Sequence, residues 1–466
     1  MQSQPSGARQ AFMTKTNPTK KNKYKEKYKS LHRAGSGKFE KSEKLNLKCR
    51  FCGSNSVIKF GYNITKKGKK ARYKCKDCNA KFTPTAKLVK PIKFKQNHKD
   101  IQQIKTKELK KLCKLIKETI YPFLNFKLHY TAKYDTKKFL DLLTHVAMNH
   151  DFTENGSHTF RFVMKDNTPS ADALLYHVKN KFTSDEIKIT FKKIFEEIFK
   201  VAKKNNVFKK RKLDVAIDLH DWLYYGDKND FMVCETKPQK GTTHCFRFAT
   251  VNIVESGRRF TLLALPMHAF DEKSKVLDEL ITYAKKKISI RNVYVDRGFF
   301  NVKCIMALEK QKVKWLMPAV RNRAIKKLMK EYDSPKVLDY LIGRKNFDQV
   351  KFKLVIVNDK DNVKRVFATN LQVTEDNAKI LFKEYGKRWG IETSYRVKGD
   401  FKARTTSKKH IVRLFYFMFC SCLYNLWVLV NIIVGIAILK FIPKEPFITA
   451  KFFGVVLYTL IDPGGG

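Results

Sequence analysis

The spacing of apolar and polar residues predicts a sheet with helices in the second half of the chain. From Leu213 onward, short apolar runs predict buried strands, and amphipathic stretches between some of them predict helices. Antiparallel-looking strands come first and strand–helix alternation follows, which favours an α/β fold with a mixed sheet flanked by helices. The strand runs are LDVAIDLH, FRFATVNIV, RFTLLALPM, ISIRNVYVD and VKWLMPAV, and the helical runs are DEKSKVLDELITYAKKK and FFNVKCIMALEKQK.

A second β-rich segment, about residues 321–375, follows this alternation. Its core is the run VKFKLVIVND, a DKDN turn and the run VKRVFATNL, which together are typical of a hairpin. A helix is then predicted from near Ala378, over the sequence AKILFKEYGKRWGIETSYRVKGDF.

The N-terminal half has a different pattern. Residues 86–210 alternate Lys-rich and apolar stretches at helical spacing, which predicts a basic helical region that binds DNA. Residues 1–46 are polar and basic with almost no apolar runs, so we expect a disordered arm. Residues 441–466 are assigned as a C-terminal tail.

The stretch from Leu414 to Leu439 contains no charged residue over its 26 positions. A stretch of this length could cross a membrane. It also contains Ser421, Asn425 and Asn431, and helices that are apolar on all sides occur in protein cores as well as in membranes. We favour a buried core helix, with a membrane anchor as the alternative.

Composition narrows the partners. The 466 residues include 96 Lys and Arg against 43 Asp and Glu, for a formal charge of +53. The abundant cellular partner for such a positive potential is a phosphate backbone. The chain is also 43% hydrophobic and 13% aromatic, which excludes a wholly disordered protein and supports two to four folded domains.

Four of the ten cysteines form two matched pairs. Cys49 and Cys52 form one Cys-x-x-Cys pair, and Cys75 and Cys78 form the other. Two such turns present four thiolates in the tetrahedral arrangement that zinc prefers, with no position open for water. Residues 47–85 are therefore predicted to be a zinc ribbon that holds one structural Zn²⁺.

Three acids are candidates for a metal site. Asp218 and Asp296 each end an apolar run, and carboxylates at the ends of neighbouring strands can share Mg²⁺. Glu392 would be the third ligand. Asp214, which shares a strand face with Asp218, and Asp221 are alternatives to Asp218.

Tyr385, Arg388 and Glu392 step by three and four residues, so they share one helix face. A tyrosine, an arginine and a carboxylate on the same face would suit a site that handles phosphate. The alternative is that Glu392 only pairs with Arg388 or Arg396 along the helix.

These motifs resemble those of prokaryotic insertion-sequence transposases of the DDE type. The similarity rests on AIDLHDWLYYG, YVDRGF and KEYGKRWGIETSYRVKGDFKARTTSK, and covers roughly residues 210–440. It extends to the group, including archaeal members, whose third acid lies in a Tyr-x-x-Arg-x-x-x-Glu signature. That signature continues with a Lys seven residues after the Glu; here Gly399 holds that position and Lys398 is one residue short.

The resemblance implies an RNase H-like catalytic domain over residues 211–440, with residues 321–375 as its β-rich insertion. Asp218, Asp296 and Glu392 would hold two Mg²⁺ or Mn²⁺. Tyr385, Arg388 and Lys398 would contact DNA.

It further implies an enzyme that cleaves the ends of an element and joins them to target DNA. The partners would be double-stranded DNA and at least one more copy of the chain, in the cytoplasm at the nucleoid, without a membrane. A catalytically silent DNA-binding descendant is the main alternative, and a nuclease without strand joining is another.

Overall fold

The computed structural model describes residues 54–65, 68–83, 118–164, 168–208, 212–439 and 441–460, together with Leu47, Cys49, Lys114 and Leu115. The predicted arm at residues 1–46 and Cys52 lie outside the described residues. The chain divides into two compact units, residues 1–97 and 98–466.

In the first unit, three antiparallel strands form a small sheet. They are β1 (Val57–Thr65), β2 (Gly68–Cys75) and β3 (Lys81–Phe82), in the order β1-β2-β3. The pairing of β1 with β2 shifts register between Lys59 and Tyr62. Gly61 lies in this irregularity with a φ of 80°, a backbone conformation that glycine adopts at little cost.

The second unit contains one large mixed sheet with helices around it. Its helices are α1 (Thr136–Met148), α2 (Thr153–Met164), α3 (Ala171–Asn180), α4 (Ser184–Lys204), α5 (Lys273–Lys287), α6 (Val302–Lys310), α7 (Arg323–Glu331), α8 (Ile380–Gly386), α9 (Trp389–Asp400), α10 (His410–Leu439) and α11 (Ala450–Leu460). Its strands are β4 (Leu213–Tyr224), β5 (Val233–Gln239), β6 (Thr242–Ile253), β7 (Phe260–Met267), β8 (Ile290–Val295), β9 (Trp315–Pro318), β10 (Lys336–Gly343), β11 (Gln349–Asn358) and β12 (Lys364–Thr369).

The nine strands follow a mixed topology. Strand β6 is antiparallel to β4 on one edge, and β5 and β7 pair with different parts of its other edge. Strands β8 and β9 continue from β4 in parallel. The predicted α/β fold class, with a mixed sheet flanked by helices, is confirmed.

The β-rich segment after β9 extends this sheet. Strand β12 pairs antiparallel with β9, and β11 and β10 follow in order. The predicted hairpin is the pair β11 and β12. The segment thus adds three strands to the edge of the main sheet, because its backbone donors and acceptors complete the open side of β9.

The apolar stretch near the C-terminus forms helix α10, which is buried against the sheet and other helices. The side chain of Asn425 accepts from the backbone N–H of Thr261 at 2.8 Å and donates to its carbonyl at 2.7 Å, which ties α10 to β7. By length and hydropathy, His410–Ile438 could cross a membrane, and 83% of its most apolar segment is buried inside the protein. This burial agrees with the core helix favoured from the sequence.

The helical region before residue 210 packs on the same hydrophobic core. Helix α4 begins with a capping box, in which Thr183 and Glu186 each satisfy a backbone N–H of the other. Its apolar face includes Phe191, whose ring meets that of Phe415 on α10 edge-on at 5.3 Å. The described residues of 118–164 and 168–208 therefore share one interior with the sheet.

Candidate active site

Two of the three predicted acids lie side by side on the sheet. Strands β4 and β8 are parallel neighbours in which Ile217 is paired with Val295. Asp218 and Asp296 are the next residues on these strands, so the parallel register alone brings them together. Asp296 also caps the turn after β8, because its carboxylate accepts from the backbone N–H of Gly298 at 2.7 Å.

The third acid reaches the same place from a helix. The Arg388 guanidinium, between α8 and α9, donates to Asp218 Oδ2 at 3.2 Å and also forms an ion pair with Glu392. The Tyr385 ring lies 5.4 Å from the same guanidinium. The single helix predicted from near Ala378 is therefore two helices, with Tyr385 on α8 and Glu392 on α9, and Arg388 between them joins both to Asp218 on β4.

The electrostatics show an excess of negative charge at this point. Burial raises the pKa of Asp218 to about 7, and the nearby carboxylates of Asp296 and Glu392 add to the rise, although Arg388 opposes it. Burial also raises the pKa of the Tyr385 hydroxyl, so this tyrosine stays protonated at neutral pH. A carboxyl that is hard to ionise beside two others favours the arrival of a cation.

The donor chemistry fits a hard divalent cation, since three carboxylates supply oxygen ligands. Among the described residues, however, the oxygens of these three acids do not all come within 4.8 Å of one another. Arg388 forms ion pairs with both Asp218 and Glu392, so its guanidinium supplies the positive charge between them. Binding a metal ion here requires Arg388 to release at least one carboxylate.

A cleft of about 1370 Å³ opens beside the acids. Asp296, Tyr385 and Arg388 lie in its wall. Two of its acids, Asp221 and Asp359, are each paired with an arginine, and Glu235 is a further acid in the wall. The other cationic side chains of the wall, besides Arg388, are available to a phosphate. Those cationic residues are Lys237, Lys273, Arg297 and Arg321.

The alternatives to Asp218 have structural partners. The buried Asp214 carboxylate forms ion pairs with Arg291 and, at 2.9 Å, with Lys387. Asp221 accepts two hydrogen bonds from Arg247, at 2.7 and 2.8 Å. Both carboxylates are already neutralised by these partners, whereas Asp218 shares a single arginine with Glu392.

Lys398 is placed differently from the expectation that it contacts DNA. Its side chain is in the core, only 2% exposed, with Nζ 3.3 Å from Asn252 Oδ1. Burial lowers its pKa to about 7. In this position the lysine does not reach the cleft, because the helix turn that carries it faces inward.

Sequence reasoning missed several cationic residues of the cleft. Arg321 follows β9 and Lys237 lies on β5, both far in sequence from the acids. Among 96 lysines and arginines, no local pattern distinguishes them. Only Arg297 had a signal, its position directly after Asp296.

The first unit brings three of the four predicted zinc ligands together. The sulfur atoms of Cys49, Cys75 and Cys78 all lie within 4.8 Å of one another, and those of Cys49 and Cys78 are 3.5 Å apart. Cys52, the fourth predicted ligand, lies outside the described residues. Three convergent thiols fit a soft metal ion such as zinc.

Comparisons with known proteins agree with this geometry. Residues 262–426 match the family described as "Transposase DDE domain", a segment that includes Asp296 and Glu392 and begins after Asp218. No curated protein matches the chain. Among solved structures, the chain is similar to a piggyBac transposase in a synaptic complex with hairpin DNA, with a TM-score of 0.52 and 12% identity over 77% of this chain and 80% of that one.

The structural likeness, at this identity, concerns the fold alone. The matched segment is similar to the DDE domain of transposases and carries two of the three candidate acids, Asp296 and Glu392.

Proposed function

We propose that this protein is a DDE transposase that binds the ends of an insertion sequence, cleaves them and joins them to target DNA. More finely, we assign it to the group with the Tyr-x-x-Arg-x-x-x-Glu signature, which has archaeal members. The observation that carries the proposal is that Asp218 lies beside Asp296 on neighbouring strands and is joined to Glu392 through Arg388, next to a cleft with cationic side chains in its wall. Asp296 and Glu392 lie within the matched segment, and Asp218 lies before it.

The three carboxylates would hold two Mg²⁺ or Mn²⁺. Two bound ions would supply an activated oxygen nucleophile and stabilisation of the leaving oxygen. Asp218 and Asp296 hold the sheet side of the site, and Glu392 holds the helix side. Because Asp218 has a raised pKa, it must lose its proton before it can bind an ion.

Arg388 and Tyr385 would position the phosphate that reacts. With Asp218 and Glu392 holding a metal ion, the Arg388 guanidinium would be free to pair with a phosphate in the cleft. The protonated Tyr385 hydroxyl, 3.5 Å from the Val295 carbonyl, holds its ring under the guanidinium. The cations of the cleft wall would contact the rest of the DNA backbone.

The remaining parts of the proposal follow from the same chemistry. The large positive charge supports affinity for double-stranded DNA that falls steeply with salt. The likeness to a transposase solved in a synaptic complex supports pairing of two ends by a homodimer or larger assembly. We place the protein in the cytoplasm, at the nucleoid.

An assay with the full-length protein tests the activity. The substrate is DNA that carries the two flanks of the gene, incubated with Mg²⁺ or with EDTA together with a supercoiled target plasmid. We expect metal-dependent breaks at the element borders and joined products in the plasmid. Breaks without joining would favour a nuclease, and binding without breaks would favour the catalytically silent alternative.

We further propose that the first unit is a zinc ribbon holding one Zn²⁺ through Cys49, Cys52, Cys75 and Cys78. The three convergent sulfur atoms support this assignment. Elemental analysis of the purified protein should find one zinc per chain. The double variant Cys75→Ser, Cys78→Ser should lose it, while Cys304→Ser, which changes a buried cysteine in the second unit, should keep it.

A further inference from the structure

Tyr395 connects the helix of the third acid to the strand of the first. It lies three residues after Glu392 on α9. Its hydroxyl is 3.3 Å from the main-chain carbonyl oxygen of Asp218 and 2.5 Å from Thr250 Oγ1. Thr250 is the cross-strand partner of Asp218 on β6, so the tyrosine reaches both strands at the level of the site.

The donors and acceptors of these hydrogen bonds are set by Asn252 and its partners Thr261 and Lys398. Asn252 Oδ1 accepts from Thr261 Oγ1 at 2.6 Å and from Lys398 Nζ at 3.3 Å. Its amide nitrogen therefore donates to Thr250 Oγ1, at 2.8 Å. The Thr250 proton is then available for the tyrosine oxygen, which leaves the Tyr395 proton for the Asp218 carbonyl.

The ring of Tyr395 is held as firmly as its hydroxyl. The His220 ring stacks on it with centroids 4.8 Å apart, and Lys398 Nζ lies 4.8 Å from its centroid. Burial keeps His220 neutral by lowering its pKa to about 3. The buried lysine thus has a role that requires no DNA, since it orients both Asn252 and the tyrosine.

We propose that Tyr395 is a positioning residue that fixes the spacing between Asp218 and Glu392, and so tunes the affinity of the site for divalent cations. The inference rests on the proposed function. Arg388 also links the two acids, but through the carboxylates that a cation must take over. The bond from Tyr395 goes to the main chain of Asp218, so it persists when Arg388 leaves.

The chain offers a matched control for this idea. Tyr424 on α10 is also a buried tyrosine, and its ring lies 5.3 Å from the same Lys398 Nζ. Its hydroxyl donates to Ser394 Oγ at 2.8 Å and lies 3.2 Å from the Arg259 carbonyl, so neither partner is on the strand that carries Asp218. Replacing either tyrosine by phenylalanine removes one hydroxyl and keeps the ring.

The experiment compares Tyr395→Phe and Tyr424→Phe in the full-length protein. Mn²⁺ binding is measured by calorimetric titration without DNA, alongside the Mn²⁺ concentration that half-saturates cleavage, DNA affinity and thermal stability. We expect Tyr395→Phe to weaken Mn²⁺ binding by about 10- to 100-fold, the usual effect of removing a residue that orients a metal ligand. DNA affinity should be unchanged.

For Tyr424→Phe, Mn²⁺ binding should equal that of the wild type. Unchanged Mn²⁺ binding in Tyr395→Phe, or an equal loss in both variants, would overturn the positioning role. If the wild type itself neither binds Mn²⁺ nor cuts DNA, the proposed function fails first. Thr250→Val, which removes the neighbouring hydroxyl, should show a smaller loss than Tyr395→Phe in the same titration.

Discussion

Two of the three acids on strand β4, Asp214 and Asp218, lie four residues apart, and they differ in the charges that surround them. Asp214 is completely buried, yet it has two cationic partners of its own, Arg291 and Lys387. Asp218 is mostly buried as well, but it shares the single cation of Arg388 with Glu392 and faces a further carboxylate.

The pKa values follow this difference. Burial tends to raise the pKa of both groups. At Asp214 the ion pairs with Arg291 and Lys387 outweigh burial and lower its pKa. At Asp218 burial wins, and the pKa rises to about 7. A buried acid with its own partners stabilises the fold, whereas one left short of positive charge is suited to bind a ligand.

The largest effect is expected from a change at the site. Asp296→Asn should reduce DNA cleavage at least about a thousandfold, because it removes a ligand from ions that stabilise the transition state by several kcal/mol. End binding should remain. Cleavage is quantified on a sequencing gel. The control is Asp339→Asn, which changes an exposed acid on β10. If Asp296→Asn cleaved DNA with Mg²⁺ as fast as the wild type, Asp296 would not be part of the catalytic site.

The next prediction compares Asp214 and Asp218 directly. Asp214→Asn should lower the free energy of unfolding by about 3 kcal/mol, because it leaves Arg291 and Lys387 without their buried partner. Asp218→Asn should not lower the metal-free stability and should raise it at neutral pH, because it removes a buried carboxyl that is hard to ionise. Urea unfolding of both variants in EDTA measures this. An equal loss in the two would mean that both acids are structural.

The pH dependence of stability should separate the same two groups. The folded pKa of Asp218 is raised, so its contribution to the free energy of unfolding is fully present below about pH 4 and is lost as the pH rises through 7. The folded pKa of Asp214 is lowered, so its contribution is present above about pH 4 and is lost as the pH falls further.

Melting temperatures in EDTA from pH 3 to pH 8 test these opposite slopes. Asp218→Asn should reduce the fall in melting temperature between pH 5 and pH 7. It should not change the loss of stability below pH 4. Asp214→Asn should instead reduce the fall in melting temperature below pH 4. A decline between pH 5 and pH 7 that survives Asp218→Asn would assign it to another group.

The smallest effect is expected at Glu255, the second acid that pairs with Arg291 beside Asp214. Glu255 accepts from Arg291 at 2.8 Å, at a position where the arginine is about one-third exposed. Glu255→Gln should cost no more than about 1 kcal/mol in urea unfolding, because solvent screens this outer pair. A loss as large as that of Asp214→Asn would show that the arginine depends on both acids equally.

Much of the fold could be read from local patterns. The strand runs from Leu213 onward became β4, β6, β7, β8 and β9, because alternation and apolar runs report which residues face an interior. The stretch Leu414–Leu439 was assigned to the core, where α10 lies. The register that extends the sheet from β9 into β12 could not be read, since strand pairing depends on contacts between distant segments.

The candidate site was predicted in part. Helical spacing predicted Tyr385, Arg388 and Glu392 on one face of a single helix. In the structure Tyr385 lies on α8, Glu392 lies on α9, and Arg388 between the two helices contacts both Asp218 and Glu392. Lys398 was expected at the DNA and lies in the core. Its spacing from Glu392 gave no information on which side of α9 the sheet would cover.

Periodicity and composition by themselves determined the element types, the large positive charge and the short list of acids, because each depends on neighbours in sequence or on a sum over residues. They could not choose between Asp214 and Asp218, which share one strand face. That choice was made by Arg291 and Lys387, 77 and 173 residues from Asp214. Only the tertiary fold brings such distant charges together, and their positions decide which acid is neutralised and which remains available to a cation.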